Sequence, residues 1–127
     1  MRRNIETDLK IWKDSDRRKP LLLRGARQVG KSYILAEFGR THFENLVMVD
    51  LEKNVRAHRI FAGNLDARKV VSDLEVEAGA PIQPGKTLLF LDEIQACPRA
   101  ITALRYLYEE LPGLHVVAAG SLLELAM

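Results

Sequence analysis

Cysteine is nearly absent: Cys97 is the only one in 127 residues. One thiol cannot close an internal disulfide, and no Cys/His cluster has metal-ligand spacing. A reducing compartment fits that usage, and the expectation is cytoplasmic. Long apolar runs are missing too. No stretch approaches the length of a membrane span, so no membrane partner is expected. Met1-Arg2-Arg3 is followed by Asn4-Ile5-Glu6-Thr7-Asp8 rather than by the apolar core of a signal peptide. Internal repeats and low-complexity segments are absent. Aromatic residues make up only 6%, and the single tryptophan, Trp12, reads as a packing anchor rather than a base-stacking platform. No Asn-Lys pair occurs anywhere, which removes the usual N-K-x-D guanine reader.

What remains is an ordinary globular composition, 47% hydrophobic and 28% charged, with room for one domain. The net charge of +2 hides an asymmetry: residues 1–40 carry +6 and the rest −4. A basic first third suits nucleotide phosphates or nucleic acid, or is simply a solvated face. Residues 4–15 predict a helix with Ile5, Leu9 and Trp12 on one side. Four apolar runs follow, at 20–23, 46–49, 87–91 and 114–119. Between them lie a helix from Lys31 to Phe38 that stops at Gly39, a short helix over 54–61, a helix over 66–77, and a helix opened by Pro98. The last presents Ile101, Leu104, Tyr108 and Leu111 as its stripe. Short apolar strands alternating with amphipathic helices predict an α/β fold, with a parallel sheet covered on both faces.

Gly25-Ala26-Arg27-Gln28-Val29-Gly30-Lys31-Ser32 fits G-x-x-x-x-G-K-[ST] at every fixed position. Such a P-loop wraps a phosphate with backbone N–H groups, and its glycines permit the φ angles and the close approach. The loop also opens a helix, whose positive end favours an anion. Lys31 is expected to reach the β- and γ-phosphates, and the Ser32 hydroxyl to meet Mg²⁺. The motif lies between a predicted strand and a predicted helix, as the chemistry requires.

The third apolar run ends in Asp92-Glu93. In a parallel sheet ligands gather at the carboxyl ends of strands, where the P-loop also lies. Asp92 is therefore a candidate for holding Mg²⁺ and Glu93 for orienting or deprotonating an attacking water. A water-activating carboxylate favours hydrolysis over transfer to a small molecule, and the missing guanine reader favours ATP over GTP. Ser121 follows the fourth run and reaches the same edge as a candidate γ-phosphate sensor. Ser121-Leu122-Leu123-Glu124 equally matches the capping box S-x-x-E, so both readings stand. Gln95 is a weaker candidate near the γ-phosphate; Asp50 and Glu52 read mainly as solvated acids, and His42, His58 and His115 as structural or exposed.

The stretch from Arg18 to Ser32 resembles the opening of a group of prokaryotic AAA+ ATPases. Leu91-Asp92-Glu93-Ile94-Gln95 resembles that group's second motif and Ala119-Gly120-Ser121 its sensor strand. The likeness runs from about residue 4 to the chain end. It implies a three-layer α-β-α P-loop NTPase core whose full sheet order is 5-1-4-3-2, cut here to four strands in the order 1-4-3-2. Residues 1–19 are then an N-terminal helical arm and connector, and residues 20–127 the core. The resemblance implies ATP and Mg²⁺ as ligands, and Lys31, Ser32, Asp92, Glu93 and Ser121 as functional positions. It places a fifth strand, a second sensor and an arginine finger beyond Met127. The expectation is thus a fragment with an open first strand, prone to self-association. Turnover would drive a conformational change in a DNA or protein partner or a further domain. The alternative is a nucleotide-gated binding module with little turnover.

Overall fold

The computed structural model describes residues 2–16, 18–24 and 29–120. Helix α1 (Arg2–Lys13) leads into strand β1 (Leu21–Arg24) and helix α2 (Val29–His42). Strand β2 (Asn45–Asp50) is followed by a 3-10 helix (Val55–Phe61) and helix α3 (Ala67–Ala78). Strand β3 (Thr87–Asp92), a 3-10 turn (Ile94–Ala96), helix α4 (Pro98–Glu110) and strand β4 (His115–Gly120) complete it. The four strands form one parallel sheet in the order β1-β4-β3-β2, as expected. Among the described residues, no helix is long and apolar enough to cross a membrane.

Strand β3 shows why the sheet needs cover on both faces. All six of its residues are buried. Leu89 and Leu91 join the cluster built with Val70, Leu74, Ala103 and Leu107 of α3 and α4. Leu88 and Phe90 point the other way, into a cluster with Leu9 of α1 and Leu35 and Phe38 of α2. Alternate side chains of a strand face opposite sides, so a continuous apolar run demands two covering layers. Each fully buried Leu or Phe contributes about 1.5–3 kcal/mol. The helix boundaries have local causes. Asp66 caps α3 by accepting from the Arg68 N–H, and Gly79 ends it in the left-handed region at φ 67. Pro98 sits in the first turn of α4, where its missing N–H costs nothing.

Two sequence expectations are corrected. Gly39 does not stop α2, which runs on to His42. It is there for closeness: a Cβ at Gly39 would stand 2.8 Å from Leu46 Cδ1 and 3.0 Å from Leu88 Cδ2. The helix lies so near the sheet that only hydrogen fits without a shift. The stripe of α4 is also different. Ala100, Ala103, Leu104 and Leu107 are its buried residues, while Ile101, Tyr108 and, just past the helix, Leu111 are half-buried. Counting only large apolar residues passed over the alanines, which are buried in the same cluster as Val70 and Leu74 of α3. The 54–61 helix takes the tighter 3-10 form, capped by the Asn54 side chain accepting from the Ala57 N–H.

Trp12 anchors α1, as read from the sequence. Its indole meets the His115 ring edge-on at 5.5 Å, and its Nε1–H donates to the Lys19 carbonyl at 2.6 Å. The histidines divide. His115 is buried at the start of β4, His58 shares a hydrogen bond with the Leu51 carbonyl at 2.7 Å, and exposed His42 stacks on Phe38.

Candidate functional site

Parallel pairing brings every strand's carboxyl end to one edge of the sheet. Arg24 of β1 lies opposite Gly120 of β4, and Asp50 of β2 opposite Asp92 of β3. Helix α2 starts at Val29 and so places its first turn at this edge. Ser32 is in that turn, and its Oγ donates to Asp92 Oδ2 at 2.9 Å. Residues 60 positions apart in sequence are thus joined at the point where β1 leads into α2 and β3 ends.

Asp92 is 8% exposed, the one carboxylate among the buried residues described. Its other oxygen accepts from the Glu93 N–H at 2.9 Å. Burial pushes its pKa above the ordinary 3.8; the bonds from Ser32 and the Glu93 N–H pull it back, and the charges of Glu93 and Asp50 push it up again. Burial is the largest of these effects, so the fold disfavours the charged form relative to a carboxylate in water.

Glu93 has φ 50 and ψ 48, alone among the described non-glycine residues in having positive φ. For such a residue the left-handed region costs about 1–2 kcal/mol. The conformation turns the chain sharply off β3 and into the Ile94–Ala96 turn, whose Ile94 is fully buried. Gln95 Nε2 donates to Glu93 Oε1 at 2.8 Å. Neither the strained backbone nor this bond is visible in sequence, because both depend on a turn made at a single residue. Asp50 serves its own turn instead, its Oδ1 accepting from the N–H groups of Glu52 and Lys53. Glu52 is exposed.

Of the other expected site residues, Val29, Gly30 and Lys31 form the start of α2 along the backbone. Gly25, Ala26, Arg27 and Gln28 lie outside the described residues, as does Ser121, whose neighbour Gly120 ends β4 at the same edge. Among the described residues no group of three or more His, Cys, Asp or Glu forms a metal cage. A hydroxyl and a single carboxylate are hard oxygen donors of the kind Mg²⁺ accepts while keeping water and phosphate as its remaining ligands. The residues present fit that ion.

A four-stranded parallel sheet in the order 1-4-3-2 with helices on both faces is the core of a P-loop nucleotide-binding fold. A family model described as an AAA domain matches residues 17–127, and the chain belongs to that family. The family gives it a nucleotide-binding, ATPase-type function. No curated protein matches the chain.

Proposed function

We propose that this chain binds ATP with Mg²⁺ at the carboxyl edge of its sheet and hydrolyses it. The observation that carries this reading is the 2.9 Å bond between Ser32 Oγ and Asp92 Oδ2. It joins the last residue of the phosphate loop to the carboxylate that ends β3, the two groups expected to share one cation. In this reading Gly25 to Ser32 cradle the phosphates with backbone N–H groups, and Lys31 pairs with the β- and γ-phosphate oxygens. Ser32 and Asp92 hold the ion; when bound, Mg²⁺ neutralises charge on the phosphate oxygens. Glu93 orients a water and takes its proton as the water oxygen bonds to the γ-phosphorus and the bond to the bridging oxygen breaks, releasing ADP. Ser121, one residue past β4, senses the γ-phosphate from the neighbouring strand. Residues 20–127 are the catalytic core, residues 1–19 its N-terminal arm, and turnover drives a conformational change in a partner or a further domain.

Replacing Glu93 tests the assignment. Glu93→Gln should keep ATP affinity and lower turnover by about 100-fold or more, the usual weight of a positioned general base. Turnover unchanged by Glu93→Gln removes Glu93 from the chemistry. ATP binding by the wild-type chain with no turnover above buffer assigns a nucleotide-gated module instead.

A further inference from the structure

The turn after β3 holds Glu93 from two sides. Its backbone N–H is fixed to Asp92 Oδ1 at 2.9 Å, and its side-chain Oε1 receives the Gln95 amide at 2.8 Å. Between the two, buried Ile94 pins the turn to the core, and the Ala96 N–H closes it on the Glu93 carbonyl at 3.1 Å. The Gln95 amide thus donates to the carboxylate two residues before it.

We propose that Gln95 is a positioning residue that fixes the Glu93 carboxylate for its reaction with water, acting through Glu93 and not by touching nucleotide. The inference rests on the reading of Glu93 as the water-orienting group. A Glu side chain has three rotatable bonds, and freezing one oxygen removes most of their freedom before substrate arrives. A carboxylate has about four lone-pair sites, so accepting from Gln95 does not exhaust its capacity to accept from water. The backbone contributes to the same end: a left-handed residue is held where the surrounding structure over-determines it, and here its carboxylate lies within hydrogen-bond reach of Gln95.

The test is single-turnover ATP hydrolysis with protein in excess, using the full chain. Three variants are compared with wild type: Gln95→Met, which keeps length and loses the donor; Glu93→Gln; and the double variant. Gln95→Met should slow the rate constant about ten- to a hundredfold, the weight of one hydrogen bond to a charged group, while ATP affinity stays within about twofold. Its thermal midpoint should match wild type. Added to Glu93→Gln, the same substitution should cause no further loss, because the group it positions is gone. A Gln95→Met rate equal to wild type overturns the inference and leaves Glu93's role intact. So does an equal fractional loss in both backgrounds, which marks a merely structural effect. A Glu93→Gln variant that turns over normally, or a wild-type chain no faster than buffer, overturns the proposed function and this inference with it.

Discussion

The two ends of the sheet put their buried polar groups to different uses. At the amino end, Thr87 and His115 begin β3 and β4. The Thr87 hydroxyl donates to Asn45 Oδ1 at 2.6 Å and accepts from the Gln83 N–H at 3.0 Å, tying the 80–85 loop to β2. His115 shares a hydrogen bond with the Lys13 carbonyl at 3.1 Å and packs edge-on against Trp12 and Phe43. Arg18 adds a bond to the same carbonyl at 3.3 Å and one to the Pro112 carbonyl at 3.2 Å. These contacts fasten α1 and two loops to the sheet. At the carboxyl end, Asp92 has a hydroxyl and one N–H for a full negative charge, beside two other acids. The first end fastens the fold, although Arg18 Nε and His115 Nδ1 are buried there with no hydrogen-bond partner among the described residues. At the second, burial disfavours the charge of Asp92, the kind of perturbed group on which the proposed site is built.

The sharpest way to break this contrast is Asp92→Asn. The asparagine can still accept from the Glu93 N–H and donate to Ser32, since a hydroxyl accepts as readily as it donates. Mg²⁺-dependent turnover should nevertheless fall by about 100-fold or more, as when a charge-stabilising group is lost from a catalytic site. The thermal midpoint at neutral pH should rise, because a carboxyl with a raised pKa is worse off ionised in the fold than in the unfolded chain. A variant that loses both activity and stability would place Asp92 with Thr87 and His115 as a structural residue.

At the other end, His115→Ala should lower stability by roughly 2–3 kcal/mol through a cavity beside Trp12 and Phe43, read by denaturant melts. Thr87→Val should cost about 1–3 kcal/mol by leaving the Gln83 N–H without its acceptor. Neither should change ATP affinity beyond what the loss of folded chain explains.

Acid separates the ends with the smallest effect. Burial lowers the pKa of His115 below its ordinary 6.5, with Arg18 and Lys13 adding to the shift and the Lys13 carbonyl and Asp14 opposing it. As pH falls below 6.5 the unfolded chain takes a proton that the folded chain resists, so stability from this group is lost. Asp92 works the other way: its strain is present in full above its raised pKa and is relieved as pH falls toward 3.8. Melts of His115→Gln between about pH 7 and pH 5 should therefore be flatter than those of wild type.

The contrast also explains what could be read beforehand. The α/β class and the strand positions were legible because each β-strand is a short apolar run bounded by loop residues. The meeting of Ser32 and Asp92 was legible because the carboxyl ends of parallel strands must share an edge. The packing of α4 was not, since its buried face depends on Ala100 and Ala103, which a count of large apolar residues ignores. Gly39 was misread for a related reason: glycine in a helix looks like a stop, and only the nearness of Leu46 and Leu88 shows that it is a contact. The hold of Gln95 on Glu93 stayed hidden because it arises from one left-handed residue.

The central claim is that the carboxyl edge binds the phosphates of ATP, and a calorimetric titration of ATP into the chain with Mg²⁺ tests it most directly. Wild type should bind, and Lys31→Ala should lose about tenfold or more in affinity, the weight of a charged contact to phosphate. Equal affinities for the two proteins contradict the account.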